Sequence, residues 1–175
     1  NPRSAGLILI TQPIVMAVLS PLAGKWSDRI EPRIIASGGM AVTVLGLVQL
    51  ITIGETTSIA YLIAILSMLG FGFALFSSPN MNAVMSSVEK RHYGIASGAV
   101  ATMRLLGQMF SMATATVVFT IIFGKLQITP LTYALFLKSF KTILFIFSLI
   151  CTVGIFFSFS RGALRETSSI SSKKV

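Results

Sequence analysis

The sequence predicts an all-α polytopic membrane protein with five transmembrane helices, and three observations predict it. Only 11% of the 175 residues are charged and 54% are hydrophobic, whereas a soluble domain carries roughly 25% charged residues. Mean hydropathy is +0.85. The charges are also clustered, so that residues 4–24, 34–54, 56–88, 93–124 and 142–160 form apolar runs, broken only by Arg104. About 20 apolar residues of helix cross a bilayer core. Backbone groups in lipid must satisfy one another, so runs of this length are helices. A barrel would show alternating segments of ~10 residues instead.

The spans follow in order. The first covers about 4–22 and carries Gln12 beside Pro13. The second, about 34–53, has Gln49 as its one large polar residue. The third, about 59–87, contains Ser67, Ser77, Ser78, Asn80 and Asn82, with Pro79 expected to kink it. The fourth covers about 94–123. The fifth, about 140–159, is rich in phenylalanine: Phe140, Phe145, Phe147, Phe156, Phe157 and Phe159. The second and fifth spans read as lipid-facing or peripheral; the other three read as facing something polar.

Charge sets the orientation. Lys25, Arg29, Arg33, Lys90, Arg91, Arg161, Arg165, Lys173 and Lys174 fall on one side, and Arg3, Lys125, Lys138 and Lys141 on the other. The side with nine cations is expected in the cytoplasm, which places the N-terminus outside and the C-terminus inside. Residues 161–175, rich in Ser and basic residues, read as a disordered cytoplasmic tail. The net charge of +9 lies in short loops rather than on one basic face, so nucleic acid is not an expected partner. Lone Cys151 reads as a small hydrophobe. A start at Asn1 that enters an apolar run almost at once is expected of a piece of a longer chain.

On the fourth span Ser97, Ala101, Arg104, Gln108 and Ser111 step by three or four and share one face. Arg104 lies ten residues past Gly94, roughly 15 Å into the membrane. An Arg at that depth costs from about 2.5 to over 10 kcal/mol, depending on method. The spans contain no Asp or Glu, so its counter-charge is a further helix, backbone carbonyls, water or a substrate. Two readings stay open: a cavity-lining cation, or a structural Arg that ties neighbouring carbonyls. Gln12, Asn80, Asn82, Arg104 and Gln108 are the substrate-cavity candidates. Gly70 and Gly72, and the small-xxx-small pair Gly94 and Gly98, are the helix-packing candidates.

The first basic loop reads Gly24-Lys25-Trp26-Ser27-Asp28-Arg29-Ile30-Glu31-Pro32-Arg33. It resembles the loop signature G-x-x-x-D-R-x-G-x-R of the major facilitator superfamily, with Glu31 where the pattern has Gly. The resemblance implies a cytoplasmic latch built on Gly24, Asp28, Arg29 and Arg33. Gly24 would allow tight packing at the helix exit, and Asp28 would cap a helix N-terminus and pair with Arg. Further stretches, residues 70–83, 89–98 and 102–108, look like the fourteen-helix drug:proton antiporter branch. The resemblance then implies core helices 8–12 of the family fold, with the remaining N-terminal helices of the same transporter as partners. It also implies alternating access around a midplane site and proton-driven export of hydrophobic or cationic small molecules from the plasma membrane, the proton carried by carboxylates outside this chain. Export of a peptide, siderophore or metabolite is the alternative, and a non-transporting membrane scaffold is the rival class. No enzyme activity, cofactor or metal site is expected; one histidine, His92, sits in a charged loop and reads as solvated.

Overall fold

A computed structural model describes residues 2–54, 57–124 and 132–159. Among them run α1 (Pro2–Leu9), α2 (Thr11–Arg29), α3 (Pro32–Ile51), α4 (Ile59–Ser86), α5 (Tyr93–Ile122) and α6 (Tyr133–Phe159), with a 3-10 turn at Lys90–His92. The described residues contain five helices long and apolar enough to cross a membrane, since α1 and α2 form one span over Gly6–Ser27. Ile10 bonds back to the Gly6 carbonyl and Ile14 to Ile10, while Pro13 has no N–H for the Leu9 carbonyl. Residue 10 is therefore a dislocation within one span rather than a loop.

Local chemistry explains the helix starts. Pro32 stands at the first position of α3, where its missing N–H costs nothing. Ser58 caps α4 by accepting the Tyr61 N–H at 3.2 Å. Pro79, expected to kink the third span, lies inside α4, a single helix of 28 residues, and is fully buried.

Two span ends differ from the sequence expectation. The first helix runs on to Arg29 instead of ending near residue 22, and the last begins at Tyr133 instead of near residue 140. Charge gaps mark only the hydrocarbon core, while helix continues into the headgroup zone, where Lys25 and Lys138 reach water. The tail 161–175 lies outside the described residues.

The core is a seam of small residues. α3 lies between α4 and α6 and buries Ile35, Ala36, Ser37, Gly39, Thr43 and Gly46. A β-carbon at Gly39 would sit 2.7 Å from the Gly72 carbonyl oxygen and 2.7 Å from the Phe76 nitrogen. One at Gly72 would meet Thr43 Oγ1 at 2.5 Å, and one at Gly46 the Leu69 side chain at 2.6 Å. On its other flank α4 approaches α2, where a β-carbon at Gly70 would lie 2.5 Å from the Gln12 carbonyl. Helices gain little from apolar burial in lipid, so such contacts decide which helices associate.

The reading of α3 as peripheral is therefore corrected within this chain: its large residues are apolar, but its small ones form the tightest crossing. α6 follows the same rule. Phe145 and Phe156 are 62% and 75% exposed, whereas Ser139, Ser148 and Ser158 are buried. Ser37 donates to Ser158 at 2.8 Å across the α3–α6 contact. α5 is the outlier, with no buried residue along its length. It meets α6 at one end, where the rings of Phe119 and Phe136 lie 5.7 Å apart.

Gly39→Ala should destabilise the protein by about 1–3 kcal/mol, because backbone atoms block the added methyl. Gly38→Ala, whose β-carbon meets nothing within 4 Å, should change stability by less than about 0.5 kcal/mol. Thermal unfolding of the two variants in detergent measures the difference.

Candidate functional site between two helices

α4 has three working faces. One carries Gly72 against α3 and a second carries Gly70 against α2. The third carries Phe76, Ser77, Asn80 and Met81 and faces Ala99, Met103 and Arg104 of α5 across a groove of about 590 Å³. The spacing explains the arrangement: residues 77, 80, 81 and 84 repeat at helical period along α4, and 96, 99, 100, 103 and 104 along α5. Because α5 touches α4 only lightly, the space between them stays open.

Of the expected cavity residues, the structure brings Asn80 and Arg104 together in this groove. The other three lie elsewhere. Gln108 is exposed on α5 and does not line the groove. Gln12 sits in the α2–α4 contact with its carbonyl against Gly70. Asn82 turns to α2, where its Nδ2 donates to Ser27 Oγ at 2.8 Å, and Ser27 Oγ in turn donates to the Gly24 carbonyl at 2.7 Å.

Arg104 makes no ion pair or hydrogen bond with any described residue. It presents a permanent cation to a mostly apolar groove with an amide opposite. Such a surface can hold a small amphiphile: Phe76, Met81 and Met103 cover an apolar body, while the guanidinium meets polar groups. Among the described residues no group of three or more His, Cys, Asp or Glu could hold a metal.

The expected latch is largely helix. Gly24, Asp28 and Arg29 belong to the last turns of α2, Arg33 is the second residue of α3, and only Ile30 and Glu31 are non-helical. Asp28 stands at a helix C-terminal end rather than at an N-cap, which is the place of Glu31; the Asp28 side chain lies outside the described ones. Glu31 has φ −58°, so the chain reverses there without the left-handed backbone that would demand Gly. Its carboxylate pairs with Arg33 Nε at 3.2 Å. A β-carbon on Gly24 would lie 3.1 Å from Ser78 Oγ of α4. The Gly24–Ser78 and Ser27–Asn82 contacts fasten α2 to the same half of α4 that lines the groove. Sequence reasoning missed this link and the Ser37–Ser158 bond; serines recurring inside apolar spans were the available signal.

Gly94 and Gly98 have no described atom within 4 Å of a β-carbon. Among the described residues their small-xxx-small face is bare because α5 stands away from α4.

Comparison with known proteins agrees with this architecture. The chain matches the Major Facilitator Superfamily over residues 1–174. It is 33% identical over 103 residues to the uncharacterized transporter YebQ of Escherichia coli, covering 59% of this chain and 22% of that protein. It is 28% identical over 115 residues to the riboflavin transporter RibZ of Clostridioides difficile, 66% of this chain and 25% of that one. It is 31% identical over 113 residues to the multidrug resistance protein Stp of Mycobacterium tuberculosis, 65% of this chain and 21% of that one. The matched region is thus about a quarter or less of each relative. No solved structure matches the chain. With five membrane-length helices, a small-residue helix seam and a family match along nearly its whole length, the chain belongs to the Major Facilitator Superfamily of membrane transporters.

Proposed function

We propose that this chain is part of a plasma-membrane exporter of small hydrophobic or cationic compounds, of the fourteen-helix drug:proton antiporter branch. Two helical bundles would alternate access to a site near the midplane. The observation that carries the proposal is the α4–α5 groove, which sets Arg104 and Asn80 among apolar side chains. Similarity to a multidrug resistance protein supports the substrate class. The described lining holds a cation and no carboxylate, so uncharged compounds fit it directly. The charge of a cationic compound, and the proton, would be met by acids outside the described residues. A second reading, export of a ring-bearing metabolite, rests on the same apolar lining and on similarity to a riboflavin transporter.

In the full-length protein, Arg104→Ala should lower efflux of an uncharged fluorescent compound at least about tenfold, equivalent to ~1.4 kcal/mol, at normal expression. Gln108→Ala, on the same helix but outside the groove lining, should retain efflux. Unchanged efflux in Arg104→Ala would remove the groove from the transport path.

We further propose that the end carrying Lys25, Arg29, Arg33, Lys90 and Arg91 faces the cytoplasm. In a background with every cysteine of the full-length transporter replaced, an impermeant maleimide added to intact cells should label Tyr133→Cys and spare Arg91→Cys. The reverse pattern overturns the orientation.

A further inference from the structure

A second groove, of about 550 Å³, lies where α3 ends and α6 begins; Ile51, Leu137 and Phe145 form its floor, and Lys138, Lys141 and Thr142 its rim. We propose that it is a binding site for an anionic phospholipid, with the phosphate on the two ammonium groups and an acyl chain along the floor.

Depth is the first argument. α3 has 20 residues, about 30 Å of helix, which equals one hydrocarbon core. Ile51, its last residue, therefore marks a membrane boundary. α6 has 27 residues, about 40 Å. Its register is set at the far end, where Ser37 bonds Ser158 and a β-carbon on Gly154 would meet Met40. The excess length of α6 thus falls at the Ile51 end and carries Lys138 and Lys141 to headgroup level.

Charge is the second argument. The lysines are three residues apart and so neighbours on one helix face. Neither meets a carboxylate among the described residues, and no acidic residue is among the described residues that line the groove. Thr142 donates its hydroxyl to the Lys138 carbonyl at 2.9 Å, which leaves the ammonium groups as the donors for a ligand. Two cations above an apolar floor complement a phosphodiester with a net negative charge and an attached chain.

The test uses the full-length transporter purified in detergent, with native mass spectrometry reading bound phosphatidylglycerol, phosphatidylcholine and soluble glycerol phosphate. Wild type should retain phosphatidylglycerol in preference to phosphatidylcholine and should not retain glycerol phosphate. K138Q/K141Q should lose phosphatidylglycerol affinity by about tenfold or more, and K138R/K141R should keep it. Thermal unfolding of each variant in detergent without added lipid verifies that the fold is intact. Equal retention of phosphatidylglycerol by K138Q/K141Q and wild type overturns the proposal. So does equal binding of phosphatidylcholine, the behaviour of an ordinary boundary lipid, or binding of glycerol phosphate as tight as the lipid's, the behaviour of a free-anion site.

Discussion

The close approach of α3 and α4 at Gly39 and Gly72 is the constraint on which the rest of the structure depends. In water, apolar faces drive helices together; in lipid they do not, because the tails are as apolar as the side chains. Association then follows how near two backbones can come. A β-carbon at Gly39 would stand 2.7 Å from main-chain atoms of α4, so no larger residue fits that crossing. The Gly70–Gln12 approach repeats the device two residues earlier on the other flank of α4. With α2 and α3 held there, α4 has one long face left, and that face lines the Arg104 groove.

The groove follows from what α5 does not do. α5 buries none of its residues against the chain and is held mainly by α6 through the Phe119–Phe136 contact. Its Arg104 faces a lining of Phe76, Met81 and Met103, with Asn80 across from it. A guanidinium near the membrane midplane is costly unless it meets a ligand, water or an acid. The same separation that leaves Gly94 and Gly98 bare keeps the space beside Arg104 open. At the basic end, the Ser27–Asn82 bond and the Gly24–Ser78 contact join the end of α2 to the half of α4 that lines this space.

Much of this was legible in the sequence, because the bilayer imposes a length on every span and charges avoid its core. Five spans follow from the charge gaps alone, and Arg104 is conspicuous because nothing else charged occurs at that depth. Asn80 and Asn82, two residues apart, looked equivalent, yet the α-helix turns them about 200° from each other, one to α5 and the other to Ser27. α3 looked peripheral because its large residues are apolar; its role lies in Gly39, Thr43 and Gly46, which composition counts as featureless. Span ends at Arg29 and Tyr133 were hidden because the helix continues beyond the hydrocarbon, where residue polarity no longer tracks secondary structure. Partner geometry, not local pattern, decides each of these points.

The central claim is that the α4–α5 groove is the substrate path. Substrate protection of single cysteines on α5 of the full-length transporter, in an otherwise cysteine-free background, tests it most directly. Ala99 and Met103 line the groove, whereas Ala101 and Leu105 do not. The account predicts that a transported compound slows thiol labelling at Ala99→Cys and Met103→Cys and leaves Ala101→Cys and Leu105→Cys unchanged. Equal labelling at all four positions with and without the compound, or protection confined to residues 101 and 105, would contradict it.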